Sequence, residues 1–156
     1  MSQIKRILFV CSGNTARSPA AEYLAKHYAQ KYNAGLTFDS AGFFNAFTYM
    51  QPESKTYLDK KGINHSTFHP KTLSETLLKS QDLIITMTQR HIDQILDEFN
   101  TIPGIKEKTY TLKDFIGKSG DIIDPYYTDR NTYMRVLKEI DEYVERLIKK
   151  IIDMNQ

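Results

Sequence analysis

Cys11 and Arg17 stand six positions apart, with Ser12-Gly13-Asn14-Thr15-Ala16 between them and Ser18-Pro19 directly after. Cysteine offers a sulfur nucleophile, and arginine a planar fork that can grip two oxygens of a phosphate. If the segment curls, as Gly13 permits and Asn14 tolerates, its backbone N–H groups can converge on one anion with Cys11 at the base of the bowl. Amide donors, a helix N-terminus and a guanidinium each stabilise a negative sulfur. Cys11 is therefore expected to act as a nucleophile at neutral pH, with Ser18 donating a further hydrogen bond to it. Far along the chain, Asp124-Pro125-Tyr126-Tyr127 supplies a carboxyl group in a turn. Displacing an oxide from phosphorus asks for an in-line nucleophile, charge stabilisation and a proton for the leaving oxygen, and Cys11, Arg17 and Asp124 cover those roles without metal or cofactor. Singly, each residue has a plainer reading: a lone cysteine beside an apolar strand is commonly a small buried hydrophobe, and Asp before Pro opens a turn. Their conjunction points to catalysis.

The surrounding elements are those needed to position such a loop. Ile7-Leu8-Phe9-Val10 is continuously apolar, as in a parallel strand covered on both faces. Ser18 as N-cap, Pro19 at the first helical position and Glu22 in the first turn predict a helix that continues to about Tyr32, closed by Asn33 to Gly35. Residues 36–40 form a second expected strand, and 41–52 a long loop carrying Phe43, Phe44, Phe47 and Tyr49. Helices are expected at 53–61, 73–79 and around 92–99, strands at 83–87 and 108–112, and a loop at 122–127. Tyr133, Val136, Leu137, Ile140, Val144, Leu147, Ile148 and Ile151 mark a final amphipathic helix. Alternating strands and helices imply a three-layer αβα architecture, a Rossmann-like four-stranded parallel sheet with helices on both faces. Ligands of such sheets bind beyond the carboxyl ends of the strands, where the loop after the first strand lies.

Length and composition narrow the setting. The 156 residues suit a single domain over 1–156, able to bury about 70% of its unfolded surface. A net charge of +2 and the lack of a long apolar run speak against nucleic-acid or membrane partners. One cysteine cannot form an internal disulfide, which fits a reducing, cytoplasmic setting. Among other phosphate loops, a dinucleotide fingerprint needs three spaced glycines and a Walker loop needs Gly-Lys-Ser/Thr; only Gly13 is present. A flavodoxin-like flavin site would accept Ser12-Gly13-Asn14-Thr15 but gives no task to Cys11, Arg17 or Asp124. An inactive anion-binding module is a further alternative, against which the presence of all three argues.

With Val10 to Pro19, Asp39-Ser40-Ala41-Gly42 and Asp124 to Tyr127, the chain resembles the low-molecular-weight protein tyrosine phosphatases over essentially its full length. The resemblance implies Cys11 as nucleophile, Arg17 and the amides of Ser12 to Ser18 as phosphate ligands, and Asp124 as general acid. It implies that Asn14, Ser18 and Ser40 hold the loop in shape, and that Tyr126 and Tyr127 border the substrate cleft together with Thr15. The opposite wall is expected from among Phe43, Phe44, Phe47 and Tyr49, with Phe43 and Phe44 as the first candidates; the resemblance does not choose between them, because the 43–49 loop departs from the family's usual aromatic, basic, glycine pattern. Phosphorylated proteins are the implied substrates, with inorganic phosphate and other oxyanions competing. Ala16 stands where many members carry a second cysteine, so neither a protective disulfide nor the electron relay of the related arsenate reductases is available. Thr15 matches the protein arginine phosphatases, whereas Tyr126-Tyr127 does not match the Phe-Gly usual in that branch. Phosphotyrosine is the favoured substrate, because an aromatic wall matters more for an aryl group than one methyl-sized change.

Overall fold

The computed structural model describes residues 3–156. Four strands, β1 (Arg6–Cys11), β2 (Thr37–Gly42), β3 (Leu83–Thr86) and β4 (Thr109–Thr111), form one parallel sheet in the order β2-β1-β3-β4. β1 is central, with Ile7 beside Phe38 and Leu83, and Val10 beside Ala41 and Thr86. Alternation along β1 sorts its side chains between two cores. Ile7, Phe9 and Cys11 face helices α1 (Arg17–Lys31) and α6 (Arg130–Asn155), while Leu8 and Val10 face α3 (Glu75–Lys79) and α4 (Gln89–Glu98). The sheet covered on both faces is the architecture that the sequence implies.

The element ends differ from expectation in informative ways. α1 starts at Arg17, not at Pro19, and its N-cap is Ala16, not Ser18, and supplies no side-chain cap. Ser18 is inside the helix because its hydroxyl is bonded to Cys11 and Asn14 and not to the helix's own amides. Pro19 is still tolerated, since a first-turn N–H has no intrahelical partner. Glu22 lies beyond the first turn and is buried, accepting bonds from Ser40 Oγ at 2.5 Å and Lys26 Nζ at 2.7 Å.

The strand expected at 108–112 stops at Thr111, whose hydroxyl accepts from Asp114 N and caps a short helix, α5 (Leu112–Phe115). α6 begins three residues before the apolar stripe, because the Asp129 carboxylate accepts from Thr132 N at 2.7 Å. Helix α2 (Pro52–Lys60) packs against both α1 and α6. That brings the 43–51 loop and the start of α6 to the carboxyl end of β1.

Candidate active site

Cys11 ends β1 with 2% of its surface exposed, and the five residues after it turn directly into α1. Three carbonyls of this loop are drawn outward by donors from other elements. Ser12 O accepts from Phe43 N at 2.7 Å, Thr15 O from Gln51 N at 2.8 Å, and Ala16 O from Ser54 Oγ at 3.2 Å. In a planar trans peptide the next N–H points the opposite way, so these contacts turn the amides of Gly13, Ala16 and Arg17 inward. Among the described residues, no amide from Ser12 to Arg17 donates to a protein acceptor. Convergent, unpaired N–H groups at a helix N-terminus make a site for an anion.

Two glycines allow this curl by close approach. A Cβ on Gly42 would lie 2.6 Å from Ser12 O and 2.8 Å from Asn14 N. One on Gly13 would lie 2.7 Å from Ala46 Cβ, so Gly13 is needed for space and not, as its place in the loop suggests, for a left-handed backbone. Asn14 does adopt that conformation, at φ 55. Its Oδ1 accepts from Lys71 N and its Nδ2 donates to Ser18 Oγ, both at 2.9 Å. The Ser18 hydroxyl, having accepted from Asn14, has its one hydrogen free for Cys11 Sγ at 2.9 Å. Ser40 does not reach the loop: its hydroxyl bonds Glu22, whose carboxyl group is pushed up by burial.

Arg17 is 3% exposed. Its Nη1 donates to Ile122 O at 2.8 Å, which fixes the guanidinium plane, and Nη2 lies 3.8 Å from Asp124 Oδ2. The Asp124 side chain is half exposed, and its Oδ1 accepts from Tyr126 N at 3.0 Å. One carboxyl oxygen is thus pinned by the turn, while the other faces Arg17. A cavity of about 350 Å³ is lined by Cys11, Arg17, Asp124, Thr15 and four aromatic rings.

Those rings are Phe44, Phe47, Tyr126 and Tyr127. Phe47 meets Tyr126 edge to face at 5.5 Å, and Tyr126 stacks on Tyr127 at 4.1 Å, with Tyr127 in the left-handed region at φ 72. Phe43, expected in the wall, is not there. It turns the other way, stacks on His91 at 5.8 Å and packs against the core cluster that holds Leu8, Val10, Leu78 and Ile95. Sequence reasoning also missed His91, 79 positions from Ser12, whose Nε2 lies 3.0 Å from the Ser12 hydroxyl. His91 Nδ1 accepts from Thr88 N at 3.2 Å, so the neutral ring carries its hydrogen on Nε2 and donates it to Ser12. Burial, then the Arg17 charge, pushes this imidazole down to about 4. Thr88 as a helix cap three positions earlier is the only local signal for it.

Residues 6–156 match the family profile described as low molecular weight phosphotyrosine protein phosphatase. The chain belongs to that family. A protein-arginine-phosphatase of Bacillus subtilis is 34% identical over 149 residues, covering 93% of this chain and 95% of the relative. A low molecular weight protein-tyrosine-phosphatase, Ptp, of Acinetobacter johnsonii is 41% identical over 133 residues, covering 82% and 84%. The crystal structure of a low molecular weight protein tyrosine phosphatase from T. tengcongensis superposes with a TM-score of 0.86 at 32% identity, covering 94% of this chain and 99% of that one. This low molecular weight phosphatase is therefore a hydrolase of the phosphoric monoester class, and the resemblance read from its motifs holds over nearly the whole chain. Among its described residues no helix is long and apolar enough to cross a membrane.

Proposed function

We propose that the protein removes phosphate from phosphotyrosine in protein substrates through a phosphocysteine on Cys11. The observation that carries this reading is one cavity in which Cys11, Arg17 and Asp124 share a floor and mouth with four aromatic rings. In the first step Cys11 Sγ attacks phosphorus in line, the S–P bond forms as the bond to the aryl oxygen breaks, and Asp124 gives its proton to that oxygen. The loop amides and Arg17 hold the equatorial oxygens where charge accumulates. In the second step the Asp124 carboxylate takes a proton from water as that water attacks phosphorus. The S–P bond breaks, sulfur leaves as a thiolate accepting from Ser18, and inorganic phosphate is released as a competing product. Phe47 and Tyr126 provide apolar surface on which a phenyl ring can lie. A single cysteine fits a reducing compartment, so the proposed setting is the cytoplasm.

Phosphoarginine is the second reading, and Thr15 is the observation that favours it. Thr15 lines the cavity, is 5% exposed and matches the arginine branch, to which a full-length relative is named as belonging. Turnover of phosphotyrosine and phosphoarginine peptides of one sequence separates the two. A higher kcat/KM for phosphotyrosine is expected; the reverse order transfers the assignment to phosphoarginine.

A further inference from the structure

Ala16 is the last residue of the loop, and the peptide between it and Arg17 is anchored from outside the site. Ser54, on α2 and fully buried, donates from Oγ to Ala16 O at 3.2 Å. Ser54 Oγ also lies 3.0 Å from Tyr133 Oη, near the start of α6, where Tyr133 is 2% exposed. A serine hydroxyl has one hydrogen, and here it goes to the carbonyl, so the tyrosine must be the donor in the second bond. The direction of both bonds follows: Tyr133 O–H to Ser54 Oγ, and Ser54 O–H to Ala16 O. Burial pushes the Tyr133 phenol up, so it keeps its hydrogen throughout the pH range of enzymes.

The Ala16 carbonyl needs such a partner. As the N-cap of α1 it would ordinarily accept from the amide of Ala20, but among the described residues that bond is not formed. The neighbouring helices do form theirs, Lys55 N to Gln51 O and Tyr133 N to Asp129 O, each at 3.0 Å. The two hydroxyls thus supply the side-chain anchor of the Ala16–Arg17 peptide plane. Turning it would swing the Arg17 N–H, which has no protein acceptor among the described residues, out of the bowl.

We propose that Ser54 and Tyr133 are positioning residues of the phosphate site, two hydroxyls in series that hold the Ala16 carbonyl outward and so aim the Arg17 N–H at the bound anion. This rests on the reading of the loop as a phosphate cradle. The pair joins three helices at one peptide: α1 receives the bond, α2 relays it and α6 supplies the terminal donor. Neither side chain is among those that line the cavity. Both act through the backbone of Ala16.

The test compares the natural protein with Tyr133→Phe, Ser54→Ala and the double variant, using inorganic phosphate as probe in titration calorimetry and following thermal melting in parallel. Because the hydroxyls act in series, each single change should weaken phosphate binding about three- to tenfold, and the double variant should bind no worse than Ser54→Ala alone. A buried hydroxyl with a merely structural role would lower the melting temperature and leave phosphate affinity unchanged, which would overturn the proposal. Losses that multiply in the double variant would overturn the series arrangement. Tyr133→Phe keeps the ring and its packing, so it serves as the reading if Ser54→Ala fails to fold. Phosphate binding is measured without turnover. Failure of the natural protein to bind phosphate would sink the cradle itself, an outcome distinct from loss confined to the variants.

Discussion

The Cys11 sulfur and the Ser18 hydroxyl lie 2.9 Å apart, and the same hydroxyl accepts from Asn14 Nδ2 at 2.9 Å. Asn14 fixes which way the serine hydrogen points, and it points at the sulfur that the proposed mechanism uses first as nucleophile and then as leaving group. A hydrogen bond to an ionised group is worth about 1.5–3 kcal/mol. Ser18→Ala should therefore lower kcat about tenfold or more with a smaller change in KM, measured on a small aryl phosphate. A loss confined to KM would place the hydroxyl on the substrate and not on sulfur.

Asp124→Asn keeps the shape of the turn but removes the proposed proton donor. General acid catalysis contributes on the order of 10²- to 10⁴-fold, so kcat should drop by that order on substrates whose leaving oxide is strongly basic, and far less where the leaving group needs no proton. Inorganic phosphate should bind at least as well, because one carboxylate near Arg17 is neutralised. Equal losses in turnover and phosphate binding would contradict the acid role.

The cleft wall can be checked by a pair of changes. Phe47→Ala removes a ring from the cavity mouth and should raise KM for aryl phosphates about three- to tenfold. Phe43→Leu, on the neighbouring face with His91, should lower stability by about 1 kcal/mol and leave KM unchanged. Steady-state kinetics and melting of the two variants test this, and the opposite pattern would return Phe43 to the wall.

Why Phe43 and not Phe44 turns inward was not legible in the sequence. β1, the Cys11 to Arg17 spacing and the Asp124 turn are local features, written in consecutive residues whose period or chemistry is fixed. Residues 43–49 follow no regular period, so the direction of each ring is set by what it meets, His91 in one case and Tyr126 in another. The Ser12–His91 and Ser54–Tyr133 contacts each span 79 positions, and neither end carries a local sign of the other. Ser18 was legible as a residue but misplaced as a cap. Its short polar side chain suits a helix start and a sulfur equally well, and only the packed loop decides between them.

His91 makes the site sensitive to acid. Burial and Arg17 hold its folded value at about 4, below the 6.5 of an ordinary histidine. Between those values the unfolded chain binds a proton that the folded chain refuses. Its contribution is thus intact above about 6.5 and lost as pH falls towards 4, on the order of 3 kcal/mol in all. Denaturant midpoints across this range should slope less in His91→Gln, whose side-chain amide can still donate to Ser12. Parallel slopes in the two proteins would show that other groups govern the acid limb.

The central claim is that Cys11 itself receives the phosphoryl group. Acid quenching during turnover of a phosphotyrosine peptide, followed by mass spectrometry of the peptide containing Cys11, tests it most directly. The expected result is a phosphate adduct on Cys11 that accumulates during turnover, together with loss of activity in Cys11→Ala. Sustained turnover by Cys11→Ala, or phosphate found on another residue, would contradict it.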